Sequence, residues 1–186
     1  MIPLLLACLL NACLFANTLE DAINGTWCTQ DKGSFIQREG LGNVTQLKKE
    51  AICHTYKVTY SYNNTGVGKM FETYMDKDLR HIGISQGFAV GNPFIVSQDV
   101  GLFTFSLQSD GSVHLYHVDA SDNTTTVLQL SPNRKHLSGA YLEVGDASKT
   151  NPREGFAGYL SLKKTKPLDE NFDNTWNSID KLTHQE

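Results

Sequence analysis

The chain has 186 residues, with 16 Lys and Arg against 20 Asp and Glu and a formal net charge of −4; hydrophobic residues make up 40% of it. That length holds one domain with a real core and little more. Its charges are interspersed, which excludes the cationic field of a nucleic-acid binder, and the short basic pairs Lys48-Lys49 and Lys163-Lys164 read as solvated or packed over apolar surface.

In chain order, residues 1–16 read MIPLLLACLLNACLFA, an apolar run that ends in small residues and gives way to polar Asn17-Thr18-Leu19-Glu20. This is the shape of a signal peptide, too short for a bilayer span, with cleavage expected before Asn17 and an uncleaved anchor as the alternative. The domain expected to fold is 17–186. Its C-terminal residues, from Lys163 on, are polar and mixed in charge, so no further transmembrane segment or glycolipid-anchor tail is expected.

Cys8 and Cys13 leave with the leader, so Cys28 and Cys53 form the expected disulfide of an oxidising compartment; two unpaired buried thiols are the alternative. Four Asn-x-Thr sequons, at Asn24, Asn43, Asn63 and Asn123, are expected glycosylation sites in the same compartment. The protein is therefore expected to be a secreted glycoprotein, or one held in the endoplasmic reticulum lumen or at the cell surface.

A helical turn over 19–23 leads into a first strand at Gly25. From there period two dominates: between Ile52 and Tyr62 the even positions are Ile52, His54, Tyr56, Val58, Tyr60 and Tyr62, and the odd ones are mostly polar. Further strands are expected at 34–39, 68–76, 81–90, 94–98, 102–108, 112–119, 125–130, 137–144 and 156–163, separated by turn chemistry of which Asp110-Gly111 is the strongest hairpin signal. A short helix is expected over 169–182, with Phe172, Trp176 and Ile179 on one side to dock on the sheet. About ten short strands in succession describe an all-β antiparallel meander that must close into a barrel or fold into a sandwich to bury its edges.

The run Leu19-Glu-Asp-Ala-Ile-Asn-Gly-Thr-Trp27 resembles the opening of lipocalins and of the wider calycin group, and Ile23-x-Gly-Thr-Trp-x-x-Gln30 followed by Gly33-Ser34-Phe35-Ile36 is similar to the first strand and turn of the avidins within that group. The resemblance covers about a dozen residues. It implies a single closed lipocalin-like barrel in which Trp27 packs across the base beneath a basic side chain of the last strand, Lys163 or Lys164. Thr29 stands where the avidins place an asparagine, which argues against a biotin site. In such a barrel, with Trp27 facing in, Cys28 and Cys53 both lie outside the wall, where a disulfide joins neighbouring strands without crossing the interior.

By parity the inward lining is expected to include Tyr56, Tyr60, Phe71, Phe103, Phe105 and Leu107, which either fill a core or wall a cavity for a small apolar or amphipathic ligand. In His114-Leu-Tyr-His117-Val-Asp119 the two histidines face opposite sides of a strand, so they cannot share a metal, whereas His117 and Asp119 share a face. No nucleophile elbow or phosphate loop is present, so no catalytic residue, metal or cofactor is expected. The expected function is binding of a small ligand without catalysis; the alternative is a non-catalytic secretory-pathway, cell-surface or cell-wall protein acting through protein or glycan contacts.

Overall fold

The computed structural model describes residues 18–29, 35–39, 43–45, 51–75, 95–119, 124–143 and 156–183. The expected leader at 1–16, the strand expected at 81–90 and the sequon residue Asn123 lie outside the described residues, as do the side chains of Asn43 and Asp119. Chain order among the described residues is α1 (Leu19–Ile23), β1 (Gly25–Thr29), β2 (Phe35–Glu39), β3 (Asn43–Thr45), β4 (Ala51–Tyr62), β5 (Thr65–Met75), β6 (Ile95–Leu107), β7 (Val113–Asp119), β8 (Thr124–Leu130), β9 (His136–Glu143), β10 (Phe156–Lys166) and α2 (Phe172–Thr183).

Every pairing is antiparallel. The ladder runs β1-β4-β5-β6-β7-β8-β9-β10, and the far end of β10 returns to β1, closing an eight-stranded barrel. The β2–β3 hairpin adds to the other half of β10, with Ile36 opposite Tyr159. Closure removes the open edges that a meander would otherwise expose.

Local chemistry sets the turns at one end. Asn63 and Asn64 both take left-handed conformations, φ 47° and 65°, which asparagine tolerates and which match the twist of a two-residue hairpin. At Asp110-Gly111 the glycine has φ 82°, and the Asp110 carboxylate accepts hydrogen bonds from the Ser112 hydroxyl at 2.6 Å and the Ser112 amide at 2.9 Å. Those bonds, the hydroxyl's foremost, hold the Asp110 pKa below its ordinary value. At the third turn the Arg134 amide donates to the Ser131 carbonyl at 2.8 Å.

α1 plugs this same end, the base. Thr18 and Asp21 form a capping box, each accepting from the other's amide. Trp27 lies wholly buried inside, its indole N–H donating 2.9 Å to the Ile23 carbonyl. The Lys164 ammonium sits 5.6 Å from the Trp27 ring centroid and donates to the Asp21 and Ala22 carbonyls at the end of α1, at 2.7 and 3.3 Å. Of the two lysines considered for this role, Lys164 is the one that fills it. Burial lowers its pKa, against an opposing pull from Asp21.

Two features depart from the sequence reading. The segments 94–98 and 102–108 form one strand, β6, because Asp99-Val100-Gly101 stays in register with β5: Gly101 faces Met70, Val100 faces Phe71, and the ladder adjusts with an irregularity between Glu72 and Thr73. A short strand, β3, also appears at Asn43–Thr45, where no strand was expected.

α2 docks on the outside wall. Phe172 and Ile179 are buried, the Phe172 ring lies 5.2 Å from that of Phe71, the Trp176 indole N–H donates to the Met70 carbonyl at 3.0 Å, and Lys69 rests over the Trp176 ring at 4.1 Å. A hydrogen-bonded ion pair between Lys57 and Asp173 pins the start of the helix.

Candidate functional site

Alternation along each strand sorts the side chains. Inward positions near the base carry Val113, Leu115, Leu128, Leu130, Leu137 and Leu162, all buried in one continuous cluster with Ile23 and Trp27. On β5 the inward positions are Gly66, Gly68, Met70 and Glu72, as the pairings of Glu72 with His54 and of Met70 with Tyr56 require. The two glycines are covered by rings from β6: a Cβ on Gly68 would stand 2.4 Å from the Phe103 ring, and one on Gly66 would stand 2.6 Å from the Phe105 ring. Phe103 and Phe105 thus lie flat across β5 as an aromatic floor.

Above that floor the lining changes character. His54, Tyr56, Glu72, His117 and Thr126 are all buried, and Tyr141 lies beside Thr126 across the β8–β9 ladder. The Tyr56 hydroxyl stands 3.0 Å from Nδ1 of His54 and 3.1 Å from Nδ1 of His117. The two imidazoles meet edge to face at 5.1 Å, and Nε2 of His54 lies 3.0 Å from a Glu72 carboxylate oxygen. That last approach is a close charge contact off the hydrogen-bond direction. Tyr56 also packs edge-on against Phe103 at 5.1 Å, which joins the polar belt to the floor.

Electrostatics fix much of this belt. Glu72 opposite Nε2 favours a proton on that nitrogen of His54. The shared Tyr56 hydroxyl then links the two Nδ1 atoms, donating to one and accepting from the other when both rings are neutral. Burial first, and the neighbouring His54 second, push the His117 pKa well below its ordinary value. His117 is therefore a neutral imidazole at physiological pH, able to donate through one ring nitrogen and accept through the other. A belt of this kind can recognise a ligand group that both donates and accepts, such as a hydroxyl or an amide.

Of the expected lining residues, Tyr56, Phe103 and Phe105 come together inside the barrel, while Leu107 is partly buried against the same cluster. Tyr60 and Phe71 do not. Tyr60 points outward and is 65% exposed, because an irregularity between Val58 and Tyr60 leaves Thr59 unpaired and flips the parity of the strand beyond it. Phe71 alternates with inward Met70 and Glu72, so its ring faces outward and is sheltered by α2. The histidines of β7 separate as expected, with His114 exposed and His117 buried. Sequence reasoning missed Glu72, Thr126 and Tyr141 and treated His54 only as part of an apolar face. Their signal, a titratable or hydroxyl side chain at inward parity, becomes readable only once register is known.

Cys28 and Cys53 are direct partners across β1 and β4 and form a disulfide on the outer side of the wall. Among the described residues no cluster of three or more His, Cys, Asp or Glu is arranged to hold a metal ion. No helix among them is long and apolar enough to cross a membrane. The Asn24 side-chain oxygen accepts the Val58 amide at 2.6 Å, whereas Asn63 sits on an exposed turn. No protein-family model matches this chain, and no curated protein matches its sequence significantly.

Proposed function

We propose that this protein is a secretory-route glycoprotein, lipocalin-like in character, whose barrel binds a small amphipathic molecule without transforming it. The ligand enters from the rim opposite α1 and places a hydroxyl- or amide-bearing group against His54, Tyr56 and His117. Its apolar part rests on Phe103 and Phe105.

One observation carries this reading: a linked His–Tyr–His–Glu set lies inside a barrel whose remaining described interior is dominated by apolar side chains. Burying such groups costs a few kcal/mol each unless they are paired, so a barrel needing only a core would be served better by aliphatic side chains. The disulfide and the leader-like start support an oxidising compartment, and of Asn24 and Asn63, the two sequon side chains described, Asn63 is the better placed to carry a glycan.

Native mass spectrometry of protein secreted by eukaryotic cells tests the reading, coupled to titration with chain-matched alkanes, alcohols and amides. A retained small molecule, or binding of the alcohol or amide that weakens about tenfold in Tyr56→Phe, as loss of about 1.4 kcal/mol of hydrogen bonding predicts, supports it. Absence of any retained molecule together with no binding across the series refutes it.

A further inference from the structure

The outside of the barrel carries a second feature, independent of the interior. Across β6, β7, β8 and β9 the described outward positions include no Asp, Glu, Lys or Arg. They form rows that register sets side by side. One row runs Thr104–Tyr116–Val127–Ala140 and continues to Tyr159 on β10; the next runs Leu102–Val118–Thr125–Leu142. Leu102, Tyr116, Val118, Val127, Leu142 and Tyr159 are each between 43% and 63% exposed. On β5 and β4 the first row continues to the exposed Val67 and Tyr60, and beyond them the outward face is charged at Lys57 and Lys69, where α2 docks.

We propose that this face is a homodimer interface, with a second copy of the chain packed wall to wall against it. Three physical points select that occupant. A two-fold interface presents the same patch to itself, so a charge on the axis meets its own sign and one off the axis needs an opposite charge placed to meet it; a patch without charge carries neither demand. Barrel closure leaves β6 to β9 no free edge for a partner strand, so face-to-face sheet packing is the mode left to them. Size also fits. Three outward positions on each of five strands, at about 4.8 Å between strands and about 6.8 Å between successive outward residues, cover on the order of 500 Å² in projection. As corrugated accessible surface that approaches the roughly 800 Å² per partner of a standard interface, with the two largely apolar rows flanked by a polar one, Ser106–His114–Gln129–Ser138–Ser161.

Sedimentation velocity and light scattering on the intact secreted protein test this. The wild-type chain is expected at twice the protomer mass, and Val127→Lys, or Tyr116→Lys with Val127→Lys, at the protomer mass with an unchanged circular dichroism spectrum. Asn177→Lys, exposed on α2 and outside these rows, is expected to remain dimeric and serves as the control. A wild-type monomer over the accessible concentration range overturns the proposal. So does a dimer that survives the double substitution, a dimer broken equally by Asn177→Lys, or a monomer that co-sediments with phosphatidylcholine vesicles.

Discussion

His117 illustrates how one buried side chain ties stability to acidity. Its folded-state pKa is depressed, by burial first and by His54 second, while in the unfolded chain it returns to about 6.5. Below that value the unfolded chain takes up a proton that the folded barrel refuses, so the stabilising contribution is complete above about pH 6.5 and is lost as pH falls. The loss amounts to at most about 1.4 kcal/mol per pH unit. Urea melts at stepped pH are expected to show this acid-side decline, to show it flattened in His117→Phe, and to show it unchanged in His114→Gln, whose imidazole is exposed. Gly68 gives the steric counterpart. A methyl there meets the Phe103 ring and the Lys57 carbonyl, at 2.4 and 2.3 Å, and the backbone cannot yield. Gly68→Ala is expected to cost about 1–3 kcal/mol in chemical denaturation, as overpacked cores do. An undiminished midpoint would show that the ring does not lie over the glycine. Neither role is written in the local sequence: His117 is recognisable as inward by its parity with Leu115, but the ring that covers Gly68 comes from a strand 35 residues away.

Among the elements, those with a strong local pattern were legible and those defined by their neighbours were not. β4 announced itself by alternation, yet its last residues changed face at an irregularity that no residue type marks, and Tyr60 left the interior as a result. β5 has apolar residues on both faces because α2 shelters the outer one, so Phe71 looked like lining when it is the seat of a helix. α2 itself was readable from the spacing of Phe172, Trp176 and Ile179. The two cysteines were readable as a pair because they alone remain once the expected leader is removed, and the inward parity of Trp27 agreed in placing both outside the wall. Reduction or Cys28→Ser with Cys53→Ser is expected to lower unfolding free energy by about 3 kcal/mol, the loop-closure contribution of a 25-residue separation. Melts of oxidised and reduced protein measure it. An equal midpoint in both forms would mean that β1 needs no covalent tie to β4.

For the molecule as a whole, many alternating strands with nowhere to leave an edge called for a barrel or a sandwich, and the resemblance of residues 19–27 to a calycin opening favoured the barrel and set Trp27 across its base. The polar belt was not legible, since it gathers residues from β4, β5, β7, β8 and β9 whose mutual height in the barrel depends on register through five ladders. A ligand seated on that belt binds only the folded barrel. The melting temperature is therefore expected to climb with ligand concentration, with about 2.7 kcal/mol of added stability at a hundredfold excess over Kd. Scanning calorimetry of the apo protein against an alcohol or amide series measures this, and curves that superimpose at every concentration would remove the belt from consideration as a binding site.

The seam between β1 and β10 also sets an order of events during synthesis. The Thr165 hydroxyl donates to the Thr26 carbonyl across 139 positions of sequence, so this join must wait until nearly all of the polypeptide has emerged from the ribosome. Cys28 and Cys53 are only 25 apart and can be oxidised long before that. The covalent bond then fixes the first stave against its neighbour while the others are still being made, leaving one prepared edge for the last stave to find.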